Sequence, residues 1–598
     1  MTDPIRIGNC SGFFGDRLSA AREMVEGGPL DVLTGDWLAE LTMLILSRIR
    51  AKRPGQGFAG TFITQMEQVL GTCLDRGVKV VSNAGGLDPA GCADAVQQVA
   101  ERLGLHPTIA YVTGDDVLPR LAELAASGAL QPFPDGNPHG SPFGEPGDYL
   151  TANAYLGCWG IVDALTRGAD VVITGRVTDA AVVMGPAAWR HGWARDDWNP
   201  LAGALAAGHL IECSAQVCGG NYSFFDEVPG IERIGFPWAE VAADGSFVIG
   251  KHDGTGGLIS VATVTSQLLY EIGAPAYASP DVTARFDTLA LEQVGPDRVR
   301  GSGTIGQPPP DTLKVAMNKL GGFRNHVAVA LTGLDVEAKA DVVLRTVWAA
   351  CPYAPDDYAS VSTRLIRHDH PDPATNEEAT AELRITVKDA DERKVGRAFT
   401  NAFTETALAS IPGLYGLSGS PTPATPYGVY VPATLPAELV PQYVHVGGTT
   451  VQIDSAAPAD RRAAAAQPGT VRGAVTEAQA WNGPTERVPL GRLAGARSGD
   501  KGGNANLGVF ARTADTYAWL RWFLTVDRLR QLLPEAAALP VERHDLPKVL
   551  SLNFVIHGLL DEGVAASTRV DAQAKSLGEW LRARVVDVPT VLLDPPAA

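Results

Sequence analysis

The first 200 residues alternate short apolar segments with longer amphipathic ones, and this alternation restricts the possible folds more than any other feature. The strand-like segments, each followed by a helical pattern, are IRIGNC, LDVLTGD, VKVVSNAGG, PTIAYVTGDD and ADVVITGR. Strands separated by helical crossovers pair in parallel, and the helices cover both faces of the sheet. We therefore predict an α/β fold with a doubly wound, mostly parallel sheet.

Each predicted strand ends in glycine and polar residues. These turns are Ser11-Gly12, Gly35-Asp36, Asn83-Ala84-Gly85-Gly86, Gly114-Asp115-Asp116 and Gly175-Arg176. In open α/β sheets, ligands bind in the crevice beyond the carboxyl ends of the strands. Glycine and aspartate are also common turn and helix-capping residues, so any single turn has a structural explanation. Five such turns on one edge favour a binding site.

Arg176 and Asp179 follow the last of these strands. Arg176 either binds an anionic substrate or ties down a loop, and Asp179 is either a catalytic base or the cap of its helix. The sequence leaves both pairs of alternatives open.

Three further stretches concentrate polar residues. KHDGTGG (Lys251–Gly257) and ARSGDKGGNAN (Ala496–Asn506) each combine a lysine with several glycines. The first stretch suits either an anion site or a loop that needs positive φ angles. The second suits either an anion site or docking onto the first domain. ECSAQVCGG offers Glu212 and Cys218, with His209 the nearest base in sequence, but it lacks the G-x-S-x-G elbow of serine hydrolases.

Length and charge limit the class of protein. A chain of 598 residues needs several domains, and a net charge of −18 argues against a nucleic-acid partner. The seven cysteines form no C-x-x-C pair, the N-terminus lacks a signal-peptide pattern, and no apolar run reaches the roughly 18 residues of a membrane span. We expect a cytoplasmic protein that binds no membrane and, by default, forms a homo-oligomer.

The stretch GSGTIG (Gly301–Gly306) matches a dinucleotide loop, but QPPP follows it where a helix should begin. The sequence has no other NAD fingerprint and no Walker A motif, which argues against nicotinamide and ATP chemistry.

Several stretches resemble the AtuA family of acyclic terpene utilisation proteins. They are IGNCSGFFGDR, LTGDWLAELTM, SNAGGLDPAGCADAV, ITGRVTDAAVVMGPA, ECSAQVCGGNY, GFPWAEV and GTGGLISVATVTSQLLYEIGAPAY. ARSGDKGGNANLGV resembles the ferredoxin-fold domain often found at the C-terminus of these proteins. The resemblance implies a part in the breakdown of acyclic terpenoids or other branched acyl chains, handled as CoA thioesters.

These observations predict four regions. Residues 1–250 form the doubly wound part of an AtuA-like core, 251–454 an α+β part of it, 455–484 a linker, and 485–598 a ferredoxin-like domain.

We expect an enzyme that acts on a branched or terpenoid acyl-CoA, or its acid, by lyase, hydratase or hydrolase chemistry. The alternatives are a non-catalytic acyl-CoA-binding or scaffold subunit of a carboxylase pathway, and a metal-dependent hydrolase using the strand-end aspartates. No cofactor or metal ion is predicted, and CoA enters only as part of the substrate. The expected catalytic residues are Asp36, Asn83, Asp115 and Asp179. The expected substrate-binding residues are Ser11, Gly12, Gly85, Gly86, Arg176, Thr178, Lys251, Gly256, Gly257, Ser498, Asp500 and Lys501.

Overall fold

A computed structural model describes residues 3–134, 145–417, 422–455, 481 and 483–593. The chain divides into two compact units, the first comprising residues 1–318, 430–564 and 573–598 and the second residues 319–429 and 565–572. Of the predicted linker 455–484, residues 456–480 and 482 lie outside the described part. Among the described helices, none has the length and apolar character needed to cross a membrane.

Among the described residues up to 268 there are nine strands and nine α-helices. The strands are β1 (Ile5–Asn9), β2 (Val32–Gly35), β3 (Lys79–Ser82), β4 (Ile109–Thr113), β5 (Gln131–Pro132), β6 (Tyr149–Ala154), β7 (Val171–Thr174), β8 (Pro237–Val241) and β9 (Phe247–Lys251). The helices are α1 (Ala20–Gly27), α2 (Glu40–Lys52), α3 (Gly60–Arg76), α4 (Pro89–Leu103), α5 (Leu121–Ala126), α6 (Trp159–Thr166), α7 (Ala181–His191), α8 (Trp198–Ile211) and α9 (Val261–Leu268).

Strands dominate the next part of the chain. They are β10 (Ala276–Ala278), β11 (Thr283–Arg285), β12 (Ala290–Gly295), β13 (Arg298–Ser302), β14 (Ile305–Gln307), β15 (Thr312–Thr332), β16 (Ser360–Ile366), β17 (Thr380–Asp389), β18 (Leu414–Gly416), β19 (Thr425–Pro436), β20 (Gln442–Val446) and β21 (Thr449–Ile453). The helices here are α10 (Val336–Ala350), α11 (Glu392–Val395) and α12 (Arg397–Thr406).

The described part of the chain from residue 483 to 593 contains six strands and four α-helices. The strands are β22 (Thr485–Pro489), β23 (Ala494–Lys501), β24 (Asn504–Ala511), β25 (Val541–Leu546), β26 (Ser551–Ile556) and β27 (Val585–Pro589). The helices are α13 (Ala514–Phe523), α14 (Val526–Leu532), α15 (Leu577–Arg582) and α16 (Thr590–Leu593).

The largest sheet has eleven strands in the order β12-β13-β9-β8-β1-β2-β3-β7-β4-β20-β21. Its central strands β1, β2, β3, β7 and β4 pair in parallel. The strands on both sides pair in antiparallel fashion. The sheet is therefore mixed, and the prediction of a mostly parallel sheet is not confirmed. The reason is local, because β8-β9, β12-β13 and β20-β21 are hairpins whose short loops permit only antiparallel neighbours.

Helices cover both faces of the parallel centre. On one face, α1, α3 and α4 pack in one apolar cluster with Leu33, Val80 and Ile173 of the strands. Thr34 points the opposite way, since successive strand residues alternate faces, and its hydroxyl lies 3.4 Å from the Val182 carbonyl of α7. Residues 181–188 of α7 are all buried. The parallel centre therefore has a helical layer on each face.

The second unit has its own core. Its strand β17 pairs in antiparallel fashion with β16 on one side and with the 323–332 part of β15 on the other, and β18 adds a short edge to β15. Helices α10 and α12 pack on this sheet through Val343, Val347 and Phe399. The long strands β15 and β19 contribute residues to both units.

The C-terminal part forms a four-stranded antiparallel sheet, β23-β24-β26-β25, and a separate β22-β27 pair. Leu507, Phe554 and Leu520 lie at the centre of its apolar core, which the helices of this part complete. This part belongs to the first compact unit.

Candidate functional site

The parallel centre of the large sheet brings four of the predicted catalytic and binding side chains to one edge. Asn83, which follows β3, donates its Nδ2 hydrogen to Oδ1 of Asp36 over 2.5 Å. Its Oδ1 accepts the Trp37 amide, so most of this side chain is engaged by the loop after β2. The Arg176 amide donates to Oδ2 of Asp115 over 2.9 Å. Side chains from four strand-end loops therefore meet in one buried polar cluster.

Arg176 lies at the centre of this cluster with a side chain that is 3% exposed. Its guanidinium bonds the Leu38 carbonyl over 2.9 Å and pairs with Asp179 over 2.8 Å. It also lies 4.1 Å from the ring centre of Tyr155. Burial would lower the pKa of Arg176, but Asp179, Tyr155 and Asp36 raise it, so the group stays charged. Arg176 thus ties down a loop and also orients the Asp179 carboxylate.

Asp115 is a buried carboxyl that connects two loops. Besides the Arg176 amide, its Oδ2 accepts from Nδ2 of Asn153 over 2.8 Å. Burial raises the pKa of Asp115 to about 7, although both hydrogen bonds oppose the shift. Gly175 is required beside it, because a Cβ at this position would lie 2.4 Å from Oδ1 of Asp115.

Glu212, the residue after α8, adds another buried carboxyl group to the cluster. Its side chain is 8% exposed, and Nδ1 of His209 lies 3.2 Å from its Oε1. Burial, together with the charges of Asp179 and Glu271, raises the pKa of Glu212 well above its usual range, while Arg176 and Lys501 oppose the shift. Burial also lowers the pKa of His209 to about 4, so this imidazole is neutral near pH 7. The raised pKa favours the protonated form of the Glu212 carboxyl.

Asp36 is affected by the same surroundings. Burial and the nearby Asp179 raise its pKa well above the usual range, while Arg176 and Asn83 act in the opposite direction.

Partly exposed side chains form the rim of the cluster. They are Thr178, Asp179, Cys213, Glu271, Tyr277, Lys314 and Lys501. Tyr277 stacks on Phe286 with the ring centres 5.1 Å apart. Its pKa is raised by burial and then by the charges of Glu212 and Asp179. Lys314 reaches the same region, since it lies 5.0 Å from the ring centre of Tyr155 and acts on Tyr277. We call the buried cluster and these partly exposed side chains together the cleft, with the buried residues as its floor and the partly exposed ones as its rim.

Four buried oxygens of this cleft have no hydrogen-bond partner among the described residues: Oδ1 of Asn153, Oγ1 of Thr178, Oε2 of Glu212 and Oδ1 of Asp179, the last of which is ion-paired with Arg176. Buried polar atoms are nearly always satisfied in folded proteins, so unpaired ones in a cleft indicate the place of a ligand or ordered water. Within the described part of the chain, no three His, Cys, Asp or Glu side chains group closely enough to hold a metal ion.

Several other predicted residues serve the loops around the cleft. The Ser11 hydroxyl donates to the Phe13 carbonyl, and a Cβ on Gly12 would come within 2.8 Å of the Cys213 backbone. A Cβ on Gly85 would lie 2.6 Å from the Thr174 carbonyl oxygen, and the Gly86 amide donates back to Asn83.

The Lys251–Gly257 loop binds its own neighbours. Nζ of Lys251 donates to the Thr255 carbonyl over 2.9 Å and pairs with Asp297 over 3.0 Å. The Gly257 amide donates to the Pro229 carbonyl, and a Cβ on Gly256 would lie 2.2 Å from the Gly230 carbonyl oxygen. None of these contacts links the Lys251–Gly257 loop to the Arg176 cluster.

The C-terminal part contributes one of its three predicted residues to the cleft. Lys501 donates to the Glu271 carbonyl over 3.3 Å and lies 6.0 Å from the ring centre of Tyr277. Asp500 adds a small rise to the pKa of Tyr270, after burial and Glu271. The Ser498 hydroxyl instead accepts the Gly578 amide inside the C-terminal part.

The sequence did not identify Tyr155, Tyr277, Lys314 or Glu271 as members of the site. It suggested Glu212 and His209 only as neighbours of the Cys218 thiol. Helix α8 did carry a usable signal, because His209 and Glu212 stand one helical turn apart at the end of an otherwise apolar helix. The other four come from separate elements and have no local signature.

The architecture is that of a mixed α/β core with a polar cleft at its strand ends, joined to a small antiparallel α+β domain. The family model of the acyclic terpene utilisation family protein AtuA matches residues 5–446. The AtuA ferredoxin-like domain matches residues 488–587. The chain therefore belongs to the AtuA family, as its sequence motifs predicted, and this membership implies a role in acyclic terpene utilisation. Neither a curated protein nor a solved structure matches the chain.

Proposed function

We propose that the protein is an enzyme that adds or removes a small group, such as water, next to the carbonyl of a branched or terpenoid acyl-CoA or its acid. The observation that carries this proposal is one cleft holding two carboxyls in different states. Glu212 is buried and has a pKa raised well above its usual range, which favours its protonated form, whereas Asp179 is ion-paired with Arg176. Pairs of carboxyls with opposed environments are typical of acid–base catalysis.

Glu212 suits the role of general acid. Its Oε2 has no hydrogen-bond partner among the described residues, and the neighbouring His209 is neutral near pH 7. A protonated carboxyl with a free oxygen in a cleft can give its proton to a substrate atom.

Asp179 suits the role of general base. Its side chain is 31% exposed, so it reaches the open part of the cleft while Arg176 fixes its orientation. In the direction of hydration, Asp179 takes a proton from water as the water oxygen bonds to the β-carbon. Glu212 then gives its proton to the α-carbon, and water is added across the double bond. The positive charges of Arg176 and Lys501 stabilise the enolate that forms between these steps.

Hydrolysis through a thiol is less well supported. Burial and the adjacent Glu212 raise the pKa of Cys213 well above its usual range, and a protonated thiol is a poor nucleophile. CoA takes part only as a portion of the substrate. We further propose that the enzyme acts in the cytoplasm.

The test is to incubate the full chain with branched enoyl-CoA and 3-hydroxyacyl-CoA thioesters and their free acids, and to follow gain or loss of water by mass spectrometry. Glu212→Gln and Asp179→Asn should each lower kcat at least about 100-fold. Glu123→Gln is the matched control, because that carboxylate lies on the surface with a side chain 71% exposed, and it should leave kcat unchanged. Turnover of none of these compounds by the unmodified protein, or full activity of Glu212→Gln, would exclude the proposed reaction.

A further inference from the structure

The C-terminal ferredoxin-like domain reaches the rim of the cleft through the end of β23. Its Lys501 donates to the Glu271 carbonyl and lies against Tyr277. The positive charge acts on both Glu212 and His209 on the cleft floor. One cation of the cleft therefore comes from a different domain than the carboxyls it faces.

Two buried asparagines of the same domain hold the backbone of residues 269–273. Asn506 donates to the Leu269 carbonyl over 3.0 Å and accepts the Glu271 amide over 2.8 Å. Asn553 donates to the carbonyls of Ile272 and Gly273 over 3.2 and 2.7 Å. The two side chains also bond each other over 2.6 Å, which fixes their orientation.

The backbone held in this way is in an unusual conformation. Glu271 has a φ of 57°, in the left-handed region that residues other than glycine rarely adopt. Such a conformation is strained and persists only where its surroundings enforce it. Here Asn506 binds the amide of Glu271 and Lys501 binds its carbonyl. The domain thereby sets the position of a charged residue on the rim.

We propose that the ferredoxin-like domain is a working part of the catalytic cleft, in which Lys501 supplies a cation for the anionic intermediate and Asn506 is a positioning residue for the 269–273 segment. The catalytic part of this inference rests on the proposed function. The positioning part does not, because it concerns the backbone of the free protein.

The catalytic part is tested with three variants of the full chain. Lys501→Met should lower kcat/KM for the acyl substrate at least ten-fold, and Lys501→Arg should restore most of that loss. Lys548→Met is the matched control, because Lys548 also donates from this domain to a carbonyl of the core, that of Thr288, over 2.9 Å. It should change kcat/KM less than two-fold. Equal losses in Lys501→Met and Lys548→Met would overturn the catalytic role.

The positioning part is tested without substrate. Asn506→Asp replaces the donating Nδ2 by an oxygen facing the Leu269 carbonyl and Oδ1 of Asn553. Hydrogen–deuterium exchange of the peptide covering residues 269–277 should become at least ten-fold faster in this variant and stay unchanged in Lys548→Met. Unchanged exchange in a folded Asn506→Asp protein would refute the positioning role. If the unmodified protein turns over no acyl substrate, the proposed function and the catalytic role of Lys501 fail together, and exchange alone decides the positioning role.

Discussion

Replacement of Arg176 by methionine is the most direct test of how the cleft is held together. Methionine keeps much of the apolar volume beside Tyr155 but removes the charge. Asp179 would then lie near Asp36 and Glu212 without its ion-pair partner, and the Leu38 carbonyl would lose its donor.

The expected loss of stability follows from the geometry. At 2.8 Å and an effective dielectric constant of about 20, the attraction between the two charges is about 6 kcal/mol. Part of this is offset by desolvation, and removing one partner of a buried pair typically costs about 3–5 kcal/mol. Because the Asp179 side chain is 31% exposed, we expect the lower end, about 3 kcal/mol.

Urea unfolding of Arg176→Met, of Asp179→Asn and of the double variant measures the free energy of unfolding that each change removes. The three values together give the coupling energy between the two residues. The double variant should be more stable than Arg176→Met alone, because it removes the unpaired carboxylate. Arg102→Met breaks a surface ion pair with Glu67, in which both side chains are about half exposed, and should cost less than about 1 kcal/mol. A cost for Arg176→Met no larger than that of the surface control would refute the reasoning.

Two further predictions concern the loops around Arg176. The folded-state pKa of Asp115 is about 7 against an ordinary 3.8, so the folded protein keeps a proton there that the unfolded chain has lost. Stability should therefore fall as pH rises from about 4 to 7, and Asp115→Asn, which still accepts from Asn153 and Arg176, should flatten this fall in Tm. Gly175→Ala should destabilise the protein by about 1–3 kcal/mol, because its Cβ would collide with Asp115. Gly60→Ala, which meets nothing within 4 Å, should be neutral or slightly stabilising by differential scanning calorimetry.

The sequence predicted the parallel centre of the sheet because each of its strands is a short apolar segment followed by a helical pattern. Since parallel strands end on the same edge, the meeting of Asp36, Asn83, Asp115 and Arg176 followed from topology alone. The antiparallel flanks were not foreseen, because β8, β9, β12 and β13 lie in stretches where strand and loop residues are mixed.

Local sequence patterns could not show which of the two loops that combine lysine with glycines contributes to the cleft. Lys251 and Lys501 stand in similar surroundings in sequence, yet one is paired with Asp297 and the other lies on the rim of the cleft. The difference depends on partners far away along the chain. The same holds for Lys314 and Tyr277, which reach the cleft from strands of the later part of the core.

The contacts of Arg176 also limit how this cleft can change during evolution. Its backbone binds the loop after β4, its guanidinium binds the loop after β2, and both contacts come from the loop after β7. Insertions or exchanges in one of these loops would disturb the other two, so they must vary together. The rim residues Tyr277, Lys314 and Lys501 come from β10, β15 and β23 and lie outside this constraint.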